Sequence, residues 1–317
     1  MLQEQIITYL EYCRSQKNLD FKTITAYQID LKQFEKYLEK TELSPGTLAI
    51  PRAVLMDYMA ELHEIYKPRS AKRKLASLKA FFGYLEYEEL VEVNPFNKIK
   101  ARYKEPELLP RTISISSLQR LLSEAYRNRD CAENTEYQRN MYCRDVAVLE
   151  LLFSTGLRVS ELCNLKKRDM SLAQGTLRIY GKGGKERMIY LANQAVLDAL
   201  KKYRAAFGEW IEGGELFFYN RLGHRLSEQS VRFMIRRYVE AAGVQEHITP
   251  HMFRHTFATL LLEEDVDIRY IQQILGHSSI TTTQIYTHVS MEKQKSILTE
   301  RHPRNRLVVG GDRGEEK

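Results

Sequence analysis

His251-Met252-Phe253-Arg254-His255, then Leu275-Gly276-His277, then Tyr286, form the stretch on which this chain is best read. Thr249-Pro250 in front of it marks a helix start, a hydroxyl cap followed by proline at the first helical position. His251 and Arg254 stand three apart, so they share a face of that helix. Gly276 after an apolar turn reads as a helix end. Ser278 or Ser279 can cap a next helix, the one carrying Tyr286. Two histidines, an arginine and a tyrosine converge here if the fold allows it.

Two further pieces stand upstream. Gly156-Leu157-Arg158-Val159-Ser160-Glu161-Leu162 reads as a turn opening a short helix. Gly181-Lys182-Gly183-Gly184-Lys185 lies between two β-rich runs, 176–180 and 187–191, a hairpin by composition. Each piece has a bland reading of its own. Arg158 can be a capping or surface arginine, Lys182 a solvated turn residue, His277 a core or cap histidine. Tyr286 is one of 19 tyrosines. The glycine-rich turn lacks the G-x-x-x-x-G-K-[ST] form of a phosphate loop. Zinc held by His251, His255, His277 and His288 would have neither cysteine partners nor an HExxH frame. The bland readings leave the shared order and spacing as coincidence.

In order and spacing the pieces resemble the tyrosine recombinase (phage integrase) family, closest to its Xer-type branch. That family carries an HxxR pair, an LGH and a tyrosine nine residues after the second histidine, as Tyr286 follows His277. Its further arginine sits in a G-L-R-x-x-E-L turn and its lysine in a β-hairpin turn. The similarity runs from about residue 5 to about residue 300. It implies a mainly α protein with a small β-hairpin or sheet and a two-domain architecture. The expected boundaries are a helical core-binding, SAM-like DNA-binding domain at 1–96, a linker at 97–112, an α+β catalytic domain at 113–300 and a disordered tail at 301–317.

The implied activity is site-specific DNA recombination through a 3′-phosphotyrosine, for integration or excision of a mobile element or for resolution of DNA dimers. Tyr286 is the expected nucleophile. Arg158 and Arg254 suit the phosphate oxygens, because guanidinium forks bind them bidentately. Lys182 suits protonation of the leaving 5′-oxygen, with Lys185 the runner-up and a further expected DNA contact. His251 is placed for acid–base work on the tyrosine proton. The resemblance assigns His277 a bond to a phosphoryl oxygen. Glu161 is expected to orient an arginine or His251, and His255 to be structural. Neither metal nor cofactor is expected: the chain has no Walker A loop and no clustered acidic pair. The implied partners are a double-stranded recombination site and further copies of the chain, as a synaptic tetramer in which residues 291–300 dock on a neighbour. A heteromeric recombinase or accessory protein is also open. Two other readings stay open, a non-catalytic sequence-specific DNA-binding protein with 268–288 as a helix-turn-helix, and a type IB-like relaxing topoisomerase.

The bulk composition agrees. A net charge of +7 and a pI near 9.0 favour a polyanionic partner. The 43% hydrophobic and 28% charged fractions are those of a globular protein. Cys13, Cys131, Cys143 and Cys163 show no metal-ligand spacing and read as reduced thiols. No signal pattern and no run of the ~20 apolar residues of a membrane span is visible, so a cytoplasmic protein without membrane association is expected.

Along the chain, four helical patterns precede the linker: 3–16, 23–41, 51–65 and 69–91. Their stripes are Ile6, Leu10, Cys13; Tyr27, Leu31, Phe34, Leu38; and Leu75, Leu78, Phe82, Leu85. Thr23 or Thr25 is the expected cap of the second. From Lys67 to Lys79, into the fourth, the chain carries Lys67, Arg69, Lys72, Arg73, Lys74 and Lys79 without an acidic residue, and this run reads as a groove wall for phosphates. Arg102 lies in the linker, and Arg232 and Arg236 on a later helix, 228–241, as further DNA contacts. Ser116 or Ser117 is expected to cap a short helix through Leu122. Residues 127–143 read as a polar surface insertion, with helix resuming at Arg144.

Overall fold

In this computed structural model the described residues are 2–41, 43, 47–97, 99, 111–181, 186–276 and 291–307. Contacts divide the chain into two compact units, Met1–Leu108 and Leu109–Lys317.

The first unit is built from apolar stripes at helical spacing. They fold as α1 (Leu2–Ser15), α2 (Phe21–Leu38), α3 (Arg52–Ile65) and α4 (Pro68–Tyr87). Ile6, Cys13, Leu31, Phe34, Leu78, Phe82 and Leu85 are all buried in one core. Phe81 closes on Tyr9 edge-on at 5.4 Å, the favoured aromatic geometry. Asp20, not Thr23 or Thr25, caps α2: its carboxylate accepts from the Lys22 main-chain N–H at 2.8 Å, so the helix starts two residues sooner than expected. α4 stops at Tyr87, where Glu89 takes a positive φ of 59°.

The second unit is arranged round one helix. After α5 (Ile115–Asp130) comes α6 (Glu136–Thr155). Every residue of α6 from Asp145 onward is buried, because α5, α8 and α11 pack against it from several sides. The remaining elements are α7 (Val159–Cys163), β1 (Met170–Ser171), β2 (Thr176–Tyr180), β3 (Glu186–Tyr190), α8 (Gln194–Ala206), α9 (Gly208–Gly213), α10 (Glu228–Ala241), α11 (Pro250–Glu263), α12 (Ile268–Leu275) and α13 (Met291–Glu300). Among the described residues the strands form one antiparallel sheet in the order β1-β2-β3, with Leu177 opposite Ile189. β1 is a strand the composition did not reveal.

Three expectations are corrected. Residues 127–143 carry helix, which resumes at Glu136 rather than at Arg144. They are the last turn of α5, a short link and the first turns of α6. Thr135 and Gln138 form a capping box there: Gln138 N–H donates to Thr135 Oγ1 at 3.2 Å and Thr135 N–H to Gln138 Oε1 at 2.9 Å. Polar residues on solvent-facing turns had hidden the helix. The cap of α5 is Ser114, whose hydroxyl accepts from the Ser117 N–H. The start of the supposed disordered tail is also structured. His302, Pro303 and Arg304 are buried in a 3-10 turn, Pro303–Arg306. Arg304 donates through Nε to buried Glu150 of α6 at 2.9 Å, and Glu150 also accepts from the Tyr126 hydroxyl at 2.7 Å. A buried carboxylate is tolerated because it is paired and bonded. α13 seats Leu298 in the core of its own domain.

Candidate active site

Gly156 ends α6 in the left-handed conformation, φ 60°. A Cβ there would come within 2.7 Å of Leu275 Cδ2 and 2.8 Å of Phe257 Cδ1. Glycine is thus needed for both the turn and the close approach of α11 and α12. The chain leaves this turn through Leu157 into Arg158, the N-cap of α7. The Arg158 main-chain N–H donates to Glu161 Oε2 at 2.9 Å and its Nη1 to Oε1 at 2.8 Å. The rest of the guanidinium faces outward, leaving the side chain 34% exposed.

Arg254 comes from the opposite side on α11 and is buried. Its two hydrogen bonds among the described residues go to main-chain carbonyls: Nη1 to Gly156 O at 2.9 Å and Nη2 to Leu275 O at 2.7 Å. One side chain thereby ties the glycine before Arg158 to the helix end before His277. Burial, and then the like charge of Arg158, lower the Arg254 guanidinium to about 10. It stays cationic at neutral pH. Arg254 is bonded to the turn that leads into Arg158, and a buried guanidinium there makes a site of excess positive charge whose natural complement is an anion.

A third arginine, which the sequence reading passed over, completes the cluster. Arg187 on β3 donates through Nη1 and Nη2 to Glu161 Oε1 and Oε2 at 3.1 and 2.8 Å, and through Nε to Ile274 O at 2.8 Å. Burial alone would raise the Glu161 carboxyl, but the bonds from Arg187 and then Arg158 outweigh it and hold it below its usual value. Glu161 thus binds two arginines rather than His251. The signal for Arg187 was only its place just after the glycine-rich turn.

His251 lies exposed on the first turn of α11. Thr249 occupies the N-cap without a side-chain cap bond, and Pro250 follows as expected. His255 is exposed too; its imidazole is lowered by partial burial and by the neighbouring His251 and Arg254. Lys182, Lys185, His277, Tyr286 and Arg102 lie outside the described residues.

Of the cations proposed to face DNA, Lys67, Arg69, Lys72, Arg73 and Lys79 are exposed on or beside α4, and Arg232 and Arg236 on α10. Arg232 pairs with Glu228 and Arg236 with Glu240 one turn along. The expectation for Lys74 is corrected. Its ammonium is buried and donates to Asp30 Oδ1 at 3.0 Å and Gln33 Oε1 at 2.6 Å. Asp30 also accepts from the Arg73 fork and from the Ser77 hydroxyl.

Known proteins agree with this plan. Residues 126–293 match the model of the phage integrase family, and residues 6–89 that of the phage integrase N-terminal SAM-like domain. A tyrosine recombinase of Agathobacter rectalis is 52% identical over 303 residues, 96% of this chain and 97% of that protein. The tyrosine recombinase XerC of Leptospira interrogans is 37% identical over 306 residues, 96% of this chain and 95% of that protein. In fold, the crystal structure of the XerH site-specific recombinase bound to palindromic difH substrate matches with a TM-score of 0.68 at 23% identity, covering 90% of this chain and 82% of that one. A helical unit followed by an α+β unit is thus the architecture shared with tyrosine recombinases, enzymes that cleave and rejoin DNA strands. The chain belongs to the phage integrase family of tyrosine recombinases.

Proposed function

We propose that Tyr286 attacks a scissile phosphate seated against Arg158 and Arg254, giving a 3′-phosphotyrosine and a free 5′-hydroxyl. The tyrosine–phosphorus bond forms as the bond to the 5′-oxygen breaks. His251 takes the phenolic proton and Lys182 supplies one to the leaving oxygen, so protons balance. His277 donates to a phosphoryl oxygen. The covalent link conserves the energy of the broken bond, and a 5′-hydroxyl from a second duplex reverses the step without ATP. Paired donors fixed before the reaction are worth about 10²–10³ in rate each, since no reorganisation is needed as charge develops.

The single observation that carries this reading is the buried Arg254, bonded to the Gly156 carbonyl at the turn that leads into Arg158 and, among the described residues, to no carboxylate. The substrate on this reading is a double-stranded recombination site. Exposed cations of α4 and α10 supply sequence-independent affinity along the phosphates. The working assembly is a homo-oligomer, a synaptic tetramer on two duplexes. No helix among the described residues is long and apolar enough to cross a membrane, in keeping with action on DNA in the cytoplasm.

The test is a nicked suicide substrate carrying the cognate site. Wild-type protein is expected to give an SDS-resistant DNA adduct on a peptide containing Tyr286, and Tyr286→Phe none. Specific binding without an adduct would make the chain a DNA-binding protein only. An adduct that persists in Tyr286→Phe would move the nucleophile elsewhere.

A further inference from the structure

Arg187 is absent from the catalytic set above, yet it makes more contacts within the site than either arginine in that set. Its side chain is 9% exposed. It reaches in two directions at once. One edge of the guanidinium covers both oxygens of Glu161, and Nε covers Ile274 O. Glu161 then has each oxygen shared between Arg187 and Arg158: Oε1 by the two Nη1 groups, Oε2 by Arg187 Nη2 and the Arg158 main-chain N–H.

The other direction is as informative. The carbonyls of Ile274 and Leu275 are consecutive orphans at the C-terminal, negative end of α12. Arg187 takes the first and Arg254 the second. Gly276 follows with φ 67°, and a Cβ on it would lie 3.0 Å from Arg187 Nη1. The exit of α12 is therefore gripped by one arginine of the hairpin and one of α11, and it packs against the hairpin arginine's fork.

We propose that Arg187 is a positioning residue for strand cleavage: through Glu161 it fixes the guanidinium of Arg158, and through Ile274 it fixes the end of α12, so that Arg158, Arg254 and the hairpin share one frame. This rests on the function proposed above, in which Arg158 and Arg254 hold the phosphate. An arginine is required because a planar fork with a separate Nε donor serves a carboxylate and a carbonyl together. An ammonium is a point donor that cannot hold both in fixed orientation.

The test uses the full chain with Arg187→Lys and Arg187→Ala on nicked suicide substrates. One substrate has a normal scissile phosphodiester. The other has a methylphosphonate there, which lacks one anionic oxygen and so leans less on arginine. Single-turnover cleavage of the phosphodiester is expected to fall about 10–100-fold in both variants, the loss typical of a residue acting through another, with DNA affinity unchanged. The loss should be clearly smaller on the methylphosphonate. Adding Glu161→Gln to Arg187→Ala should slow cleavage no further than the slower single change, since both act through one contact.

Equal losses on the two substrates, full activity of Arg187→Lys, or additive losses in the double variant would each overturn the proposal and leave Arg187 a fold-supporting ion pair. If Arg187→Ala does not fold, Arg187→Lys carries the test alone. Failure of the underlying function is separate: it shows as absence of any adduct with the wild-type chain.

Discussion

Lys74 on α4 and Arg254 on α11 are both buried cations, and they are buried in opposite ways. Lys74 meets a carboxylate: Asp30, with no exposed side-chain surface, accepts from Lys74, Arg73 and Ser77. Its ammonium also lies 4.7 Å from the Tyr66 ring centroid, a cation–π distance. Arg254 meets two carbonyls and the field of a second arginine. A neutralised buried cation belongs to the architecture. A buried cation left with excess positive charge suits an anion, the role proposed for Arg254. The comparison separates the basic residues of this chain by what they do, which their charge alone does not.

If Lys74 is architectural, breaking its pair should have the largest effect on stability. Asp30→Ala leaves a buried ammonium without its carboxylate and is expected to cost about 3–5 kcal/mol, confined to the first unit. Trp210, the single tryptophan, reports on the second unit alone. Circular dichroism should show an early helical transition while the Trp210 fluorescence midpoint stays in place. An unmoved helical transition would remove Lys74–Asp30 from the architecture.

His302 gives a smaller, pH-dependent contrast. This buried imidazole donates through Nε2 to Ser154 O at 2.6 Å and accepts at Nδ1 from the Arg304 N–H at 3.0 Å. Burial lowers it from 6.5 to about 4; a doubly protonated ring also could not accept the second bond. Because the unfolded chain binds the proton first, stability is fully present above pH 6.5 and is lost as the pH falls to about 4. The loss should amount to about 3 kcal/mol over that window. Denaturant midpoints of the second unit against pH should show this slope, and His302→Gln should flatten it. A slope that survives the substitution would assign it to other groups.

Arg236 is the smallest case. Its side chain is 73% exposed and its partner Glu240 62%. Arg236→Ala should change stability by less than about 0.5 kcal/mol. If Arg236 contacts a phosphate, the slope of log affinity against log salt should fall by about one unit. Reduced stability with an unchanged salt slope would invert its role.

The legible part of the molecule was whatever repeats at short range. The stripes of α1, α2 and α4, the hairpin, and the glycine turns at Gly156 and Gly276 all follow from spacing and from φ. What stayed hidden was pairing across long sequence separations. Asp30 and Lys74 stand 44 residues apart and Glu150 and Arg304 stand 154 apart, so Lys74 read as one more surface cation and Arg304 as part of a loose tail. Arg187 sat among strand residues with no local pattern to mark its bond to Glu161. The first turns of α6 were missed because solvent-facing helix carries no stripe there, although the Thr135–Gln138 capping box was available.

The account stands on the charge of Arg254 being held for the scissile phosphate. Its most direct test is Arg254→Gln, with single-turnover cleavage, DNA affinity and thermal midpoint measured on the same protein. Cleavage should fall by about 10²–10³, with affinity little changed and the midpoint modestly lowered, since the bonds to Gly156 O and Leu275 O are lost. A lowered midpoint with cleavage intact would make Arg254 a structural arginine and contradict the account.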